Sequence, residues 1–377
     1  MRVLLATWDC AGGFTPELTL IRGLAARGHD VHVATHQSVQ TRIERTGAIF
    51  EHLPNIVDYD SRVPITPEQE REFLYEGLIF SEAFAHDVSA VARRLRPDVE
   101  LIDLFLLTSA VAARASGIPV AFLTTTIFKF MEWLGRPYSQ RFASLQAFAA
   151  GFGYQLPATL IELLGGSPVI ASTFQPFELP TTFPPGYFSA GSLRDSASMG
   201  EASTFRRRSP KKPLVLVSLS TSYMNQAVIL KTLCQAVGTL DVEAVVTTSD
   251  AIDPQSIEAA ANTHVLRYLP HDVVLPMTRL VVTHAGHGTV MGAVSAGVPM
   301  LLLPMGRDQR MVAARAAELG CGAVIDSNAP AAEFAAAIER ELADAERPRH
   351  CRAFRDRLQN HPGLNEAIEL VEGLVRD

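Results

Sequence analysis

Short apolar runs alternate with amphipathic stretches along the whole chain. The first run, residues 3–7, ends in a turn that contains Gly12 and Gly13, and apolar residues then recur at helical spacing until Gly28. A buried strand followed by a loop and a helix, repeated many times, is typical of a parallel sheet that is covered by helices on both faces. The pattern therefore predicts the α/β class.

The same pattern predicts two domains. A chain of 377 residues exceeds the size at which a single core stops growing. Between residues 196 and 213 the apolar periodicity disappears, and Ser, Gly, Arg, Lys and Pro dominate, as in exposed linkers. The further predicted strands are residues 31–35, 99–103, 120–124 and 169–172 before this segment, and 214–219, 244–248, 265–268, 280–284, 300–303 and 323–325 after it.

We therefore predict two doubly wound, Rossmann-like domains. The first covers residues 1–195 and the second residues 214–350, with an inter-domain linker at 196–213. A C-terminal helical tail, residues 351–377, is expected to pack back on the first domain.

Composition narrows the function classes. The net charge of -7 argues against a nucleic-acid partner, because phosphate neutralisation needs clustered Lys and Arg. The four cysteines lie far apart, without the spacing of a zinc site or a disulfide framework, which fits a reducing cytoplasm. No segment reaches the roughly 18 apolar residues of a membrane span. We expect a cytoplasmic protein without a membrane span.

The strongest candidate for chemistry is the sequence HAGHGT, which follows a predicted buried strand and enters a predicted helix. A helix start directs backbone N–H groups and a positive dipole end at an anion, and glycines let a phosphate approach the backbone closely. His284, Gly286, His287, Gly288 and Thr289 are the predicted diphosphate-binding residues. The structural alternative is a tight turn with one capping and one core histidine.

Three further strand ends carry groups suited to a nucleotide sugar, and ligands of doubly wound sheets bind beyond such ends. Hydroxyls can donate to phosphate oxygens, backbone groups beside an aromatic ring can hold a base, and an Asp-Gln pair can bind adjacent sugar hydroxyls. The predicted residues are Ser218, Ser220 and Thr221 for the diphosphate, Leu269 for the nucleotide, and Asp308 and Gln309 for the sugar.

The segments VSLSTS, RYLPHDVVL, VTHAGHGTVM and PMGRDQ, in this order, resemble the donor half of family 1 glycosyltransferases with the GT-B fold, especially bacterial enzymes that glycosylate natural products. The opening of the chain resembles the family's N-terminal domain more weakly. The resemblance implies two Rossmann-like domains with the ligand cleft between them. It implies an inverting, metal-independent transfer of a sugar, including deoxysugars, from a UDP- or TDP-sugar to a small apolar or aromatic acceptor. It leaves a homodimer open.

The chain departs from this family at two positions. Many relatives carry a Glu that contacts ribose where this chain has Gly292, so that contact is not carried over. Many also carry a catalytic histidine where this chain has Gly13, so the usual base is missing.

An inverting transfer needs a group that removes the acceptor's proton. Asp9, just past the first strand, is the first candidate. Asp103 ends another strand and matches the Asp that orients the missing histidine in relatives. His36 and Glu132 are further options, each with a capping or surface role as the alternative.

Other function classes stay open at this point. Gly286, Gly288 and Gly292 with Asp308 imitate the fingerprint of an NAD-dependent oxidoreductase, although the third glycine is one residue late. A non-catalytic nucleotide-sugar-binding helper protein would explain the missing histidine. Asp58 and Asp60 spell a DxD motif, but such spacing is common by chance, and we predict no metal.

Overall fold

The computed structural model describes residues 1–194, 205–358 and 361–375. Residues 196–204 of the predicted linker lie outside this part of the chain. The structure divides into two compact units. The N-terminal unit comprises Met1–Ser61, Ile65–Arg194 and Pro362–Asp377, and the C-terminal unit comprises Arg62–Pro64 and Asp195–His361.

The N-terminal unit is built on a parallel sheet with strand order β3-β2-β1-β4-β5-β6-β7. Its central strands are continuous apolar runs because helices cover both faces. Ile102 and Phe122 face a core formed with α4 and α5, and Leu5 and Leu101 face a second core formed with α1. The strands are β1 (Arg2–Ala6), β2 (Asp30–Ala34), β3 (Ile49–Glu51), β4 (Val99–Asp103), β5 (Val120–Thr124), β6 (Val169–Ala171) and β7 (Tyr187–Ser189).

Helices connect these strands, and the π-helix Phe73–Ile79 lies between α3 and α4. The helices are α1 (Phe14–Ala26), α2 (Gln40–Glu44), α3 (Pro67–Glu72), α4 (Glu82–Leu95), α5 (Leu107–Ser116), α6 (Phe128–Met131), α7 (Gly135–Gln140), α8 (Phe142–Ala150) and α9 (Leu160–Leu164).

The C-terminal unit repeats this architecture with a parallel sheet of order β10-β9-β8-β11-β12-β13. Its strands are β8 (Leu214–Ser218), β9 (Glu243–Thr247), β10 (Thr263–Leu266), β11 (Leu280–Thr283), β12 (Met300–Leu302) and β13 (Gly322–Val324). Its helices are α10 (Ala227–Gly238), α11 (His271–Val274), α12 (His287–Ala296), α13 (Gln309–Glu318), α14 (Ala331–Ala343) and α15 (Arg347–Arg357). The predicted pair of doubly wound α/β units is confirmed.

The C-terminal tail leaves the C-terminal unit later in the chain than predicted. Helix α15 belongs to the C-terminal unit, where Cys351 and Phe354 are buried and the helix packs against α12. Only the segment after His361, with helix α16 (Leu364–Gly373), belongs to the N-terminal unit, where it packs against α1. The prediction that residues 351–361 leave the second domain is wrong, because the apolar side chains of α15 complete the core of that domain.

Among the described residues, no helix combines the length and the apolar character that crossing a bilayer requires.

Candidate functional site

Three loops of the C-terminal unit meet at one edge of its sheet. Thr283 at the end of β11 pairs with Ser218 of β8 on one side and with Leu302 of β12 on the other, so the three strands end level. We call the loops that follow them the serine loop (residues 218–222), the glycine turn (residues 284–289) and the Asp-Gln loop (residues 304–309). This edge is where ligands of doubly wound sheets bind.

The glycine turn is shaped around the ring of His284. A Cβ atom on Gly286 would lie 2.4 Å from Nε2 of His284, so only glycine fits beside the ring. Ala285 adopts a left-handed φ of 66°, a sparsely populated conformation that a non-glycine residue adopts when the surrounding structure fixes it. Helix α12 then starts at His287, and Gly288 and Thr289 lie half-buried in its first turn. The turn thus presents a helix start at the sheet edge.

His284 is neutral in the folded protein. It is 7% exposed, and its ring is hydrogen-bonded to the backbone of Ser218. Burial, together with the charge of Arg307, lowers the pKa of His284 to about 3. The imidazole can therefore donate or accept a hydrogen bond at neutral pH, but it contributes no positive charge.

Arg307 brings a positive charge to this edge. Its Nη1 donates a 2.9 Å hydrogen bond to Oγ of Ser222, which joins the Asp-Gln loop to the serine loop. Its backbone has a left-handed φ of 54°, and its side chain is exposed. The guanidinium is close enough to His284 to depress the pKa of that ring. Arg307 is not among the residues that the sequence predicted.

The predicted serine-loop residues differ in what their hydroxyls contact. Ser218 accepts a 3.0 Å bond from Thr247 and lies 3.2 Å from Nε2 of His271. The hydroxyl of Ser220 lies 2.9 Å from that of Ser222 and accepts the Ser222 backbone N–H. Thr221 is exposed. Ser218 and Ser220 therefore fix the loop, and Thr221 presents its hydroxyl to solvent.

The segment after β10 is tied to the same edge through the contact between His271 and Ser218. The side chain of Leu269 is buried, whereas the preceding Tyr268 is 72% exposed. The ring of Tyr268 is thus available to a flat ligand, and Leu269 anchors the segment.

The two members of the Asp-Gln pair have different surroundings. Gln309 is buried, and its Oε1 accepts the backbone N–H groups of Met305 and Gly306 at 2.8 and 3.1 Å, so it shapes the loop. Asp308 occupies the N-cap position of α13 but makes no capping hydrogen bond with its side chain. The capping role that would explain this Asp structurally is therefore not used.

In the N-terminal unit, Asp9 follows β1 and is 3% exposed. Its carboxylate accepts hydrogen bonds from the hydroxyls of Ser38 at 2.8 Å and Ser61 at 3.1 Å. Its backbone N–H points to Nδ1 of His36 at 3.4 Å. Burial lowers the pKa of His36 to about 4, so this ring is neutral. Glu132 lies apart from this network, in an ion pair with Lys129 at 2.6 Å.

Asp103 ends β4 beside a second carboxyl group that the sequence did not single out. Asp103 accepts the backbone N–H of Phe105 at 2.7 Å and is hydrogen-bonded to Glu17 of α1. Burial raises the pKa of Asp103 to about 6. The feature of the sequence that could have identified Glu17 is its place as a charged residue on the apolar face of α1.

Residues 231–374 match the family described as "Erythromycin biosynthesis protein CIII-like, C-terminal domain". The 4'-demethylrebeccamycin synthase of Lentzea aerocolonigenes is 24% identical, with 99% of each chain covered. The crystal structure of CalG4, the calicheamicin glycosyltransferase, superimposes with a TM-score of 0.82 at 21% identity, covering 100% of this chain and 98% of that chain.

The chain is a glycosyltransferase that resembles family 1 natural-product enzymes. Its two units have the GT-B fold, as the resemblance implied. The structure of the glycosyltransferase VinC in complex with DTDP is a further neighbour, with a TM-score of 0.75 at 19% identity over 100% of both chains.

The NAD-dependent oxidoreductase alternative fits neither these relatives nor the geometry of the C-terminal unit. Gly292 is buried inside α12, a full turn beyond the helix start. Asp308 starts α13 rather than ending a strand. Within the part of the chain that is described, no group of three or more His, Cys, Asp or Glu side chains is arranged to hold a metal ion.

This glycosyltransferase also has an aromatic wall in its N-terminal unit, defined by Trp8, Tyr59, Phe73, Phe105, Phe130 and Trp133. Trp8 packs between Phe105 at 5.7 Å and Tyr59 at 6.1 Å between ring centroids. Phe105 continues to Phe130, which stacks on Trp133 at 6.1 Å. Trp133 is 39% exposed, so the wall runs from Trp8, which precedes Asp9 in the chain, to the surface.

Proposed function

We propose that the chain transfers a sugar, with inversion at the anomeric carbon, from a UDP- or TDP-sugar to a small apolar or aromatic natural-product acceptor. The observation that carries this proposal is the meeting of three loops around Arg307 and the start of α12 at the sheet edge of the C-terminal unit. A cation and a helix start together favour a diphosphate. The DTDP complex of VinC, which shares the fold, supports the nucleotide class.

The proposal is tested by incubating the protein with UDP- and TDP-sugars and a panel of flat aromatic aglycones, and by measuring glycosylated product by mass spectrometry. Transfer with an inverted anomeric configuration supports the proposal. Absence of any transfer, from a protein that binds neither TDP nor UDP, would refute it.

We expect TDP to bind equally well with and without EDTA. The positive charge that the diphosphate needs comes from Arg307 and from the start of α12, so no divalent cation has to bridge the phosphates. Isothermal titration of the protein with TDP, in EDTA and then in excess Mg²⁺, measures this directly. Binding that disappears in EDTA and returns with Mg²⁺ would contradict the prediction.

Asp308→Ala is expected to weaken binding of a TDP-sugar by about 1–2 kcal/mol, roughly tenfold, while affinity for free TDP stays unchanged. The reason is that a carboxylate accepts hydrogen bonds from sugar hydroxyls, whereas free TDP has no sugar to donate them. Competition binding with both ligands makes the comparison.

Asp326→Ala is the matched control, because Asp326 lies in the neighbouring loop and accepts its hydrogen bonds from Asn328. It should leave both affinities unchanged. Equal losses of TDP and TDP-sugar in Asp308→Ala would remove Asp308 from the sugar site.

The acceptor class is proposed from the aromatic wall. Rings spaced 5.7–6.3 Å apart present faces and edges on which a flat apolar molecule can stack. The exposed end at Trp133 gives the wall contact with solvent, and the other end adjoins the loop that carries Asp9. An acceptor held on this wall would bring a hydroxyl group towards that loop.

Asp9 is the proposed base. In an inverting transfer the acceptor oxygen attacks the anomeric carbon, its proton passes to the base, and the nucleoside diphosphate leaves with the bonding electrons. The two serine hydroxyls that bind Asp9 hold its carboxylate in one orientation, and its neighbour Trp8 belongs to the aromatic wall. Asp103 is then a second buried carboxyl group near this sheet edge, at the end of β4, which pairs with β1.

A further inference from the structure

Two buried carboxyl groups, Glu17 and Asp103, meet at the sheet edge of the N-terminal unit. Glu17 is 2% exposed and Asp103 is 1% exposed. Oε2 of Glu17 accepts a 2.5 Å hydrogen bond from the hydroxyl of Thr7, directly after β1, and β1 pairs with β4, which ends at Asp103. The two carboxyl groups are hydrogen-bonded to each other. A helix and two adjacent strands therefore hold the pair in place.

A hydrogen bond between two carboxyl groups requires a proton on one of them. Among the described residues, no N–H or O–H group reaches the other oxygen of Glu17, Oε1. Burial, followed by the charge of Asp103, raises the pKa of Glu17 well above its ordinary range, whereas the hydrogen bond from Glu17 favours the ionised form of Asp103. The geometry and the direction of these shifts place the proton on Glu17.

We propose that Glu17 and Asp103 share one proton in the folded protein, and that Glu17 is a positioning residue that keeps Asp103 ionised for the transfer reaction. Its role in turnover rests on the function proposed above, but the shared proton does not. The pair then carries a single negative charge at neutral pH.

This charge lies close to the proposed base, Asp9. Gly13 precedes Glu17 by one helical turn, and a Cβ atom there would meet Sγ of Cys10 at 3.0 Å. Burial raises the pKa of the Cys10 thiol, the negative charges of Asp103 and Asp9 raise it further, and Arg42 of α2 lowers it. The pair is thus electrostatically linked to the neighbourhood of the proposed base, and Glu17 lies in the first turn of the helix that begins directly after Gly13.

The shared proton is tested without any substrate. Infrared difference spectra should show the C=O band of a protonated carboxyl group at neutral pH, and Glu17→Gln should abolish it. The spectra with and without Glu17→Gln are compared in a Glu100→Gln background. Glu100, on β4 beside Ser116, is another buried carboxyl group, and burial raises its pKa to about 7, so it could give a band of its own. A band that persists in the double variant would overturn the proposal.

The pH dependence of the free energy of unfolding provides a second test of the shared proton. Because folding raises the pKa of Glu17 from 4.5, its contribution to stability is complete below that pH and is lost as pH rises towards the folded value. The free energy of unfolding should therefore decline less with rising pH in Glu17→Gln than in the parent. Parallel declines would overturn the proposal.

The positioning role is tested by the acid limb of turnover. In the parent we expect turnover to rise with the ionisation of Asp103, near pH 6. Glu17→Leu removes the hydrogen bond that favours ionised Asp103 and should move this limb upward by about one to two pH units. Glu17→Gln restores a donor and should return the limb towards the parent's position, while Glu100→Gln should not move it.

A limb that stays in place in Glu17→Leu, or that moves as far in Glu17→Gln, would show that Glu17 has no positioning role. If Glu17→Leu does not fold, the infrared band and the pH dependence of stability in Glu17→Gln still decide whether the proton is shared. A protein that transfers no sugar would fail the proposed function but would still show or lack the shared proton.

Discussion

Asp9→Asn is expected to lower turnover by about two to four powers of ten, the usual span for loss of a general base, while TDP binding is retained. The amide keeps the shape of the carboxylate and can still meet the hydroxyls of Ser38 and Ser61. It cannot take the acceptor's proton. Turnover is measured at saturating donor and acceptor, so that the loss reports the transfer step rather than binding.

Asp103→Asn is the matched comparison, because both carboxylates follow adjacent strands of one sheet. It should have the smaller effect if Asp103 acts through its charge and not by contact with the acceptor. Near-normal turnover in Asp9→Asn would refute the assignment. Collapse in Asp103→Asn alone would transfer the role of base to Asp103, whose pKa of about 6 is suited to proton removal near neutral pH.

The sequence predicted the central strands well because burial on both faces leaves a continuous apolar run. The predicted bounds of β4 and β5 coincide with Val99–Asp103 and Val120–Thr124, in which every residue is buried. The strands β3 and β7 were not predicted. Each has three residues, lies at an edge of the sheet and is partly exposed, so its pattern does not differ from that of a loop.

The serine loop, the glycine turn and the Asp-Gln loop could also be predicted, since each is contiguous in sequence and follows a recognisable strand. What could not be predicted is which side chains from different loops meet. Ser222 and Arg307 are 85 residues apart, and their contact depends on strands β8 and β12 ending level on either side of β11. The pairing of Glu17 with Asp103 depends likewise on β1 lying beside β4.

The neutral state of His284 changes which groups can supply positive charge to the proposed donor site. The sequence predicted His284 as a diphosphate-binding residue, and a protonated histidine would supply positive charge to a phosphate. In the structure, burial and the adjacent guanidinium keep His284 uncharged at any pH above about 3. The ring therefore orients a hydrogen bond, and the attraction for a dianionic ligand has to come from Arg307 and the helix start.

Arg307→Gln is therefore expected to weaken TDP binding by about 10- to 100-fold, which corresponds to the roughly 1.5–3 kcal/mol of a hydrogen bond to a charged group. Gln can still donate to Ser222, so the contact between the two loops is partly kept while the charge is lost. The matched control is Arg310→Gln, because Arg310 is also exposed and lies in the first turn of α13, three residues further on.

Both variants change the net charge by the same amount, so a general effect of charge would appear in both. The titration should be run at low and at high salt. The parent's affinity for TDP should fall with salt more steeply than that of Arg307→Gln. Salt screens the attraction between the guanidinium and the diphosphate, and the variant lacks this attraction. Equal affinities for Arg307→Gln and Arg310→Gln would show that the guanidinium does not reach the diphosphate, and that α12 and the backbone of the glycine turn bind it alone.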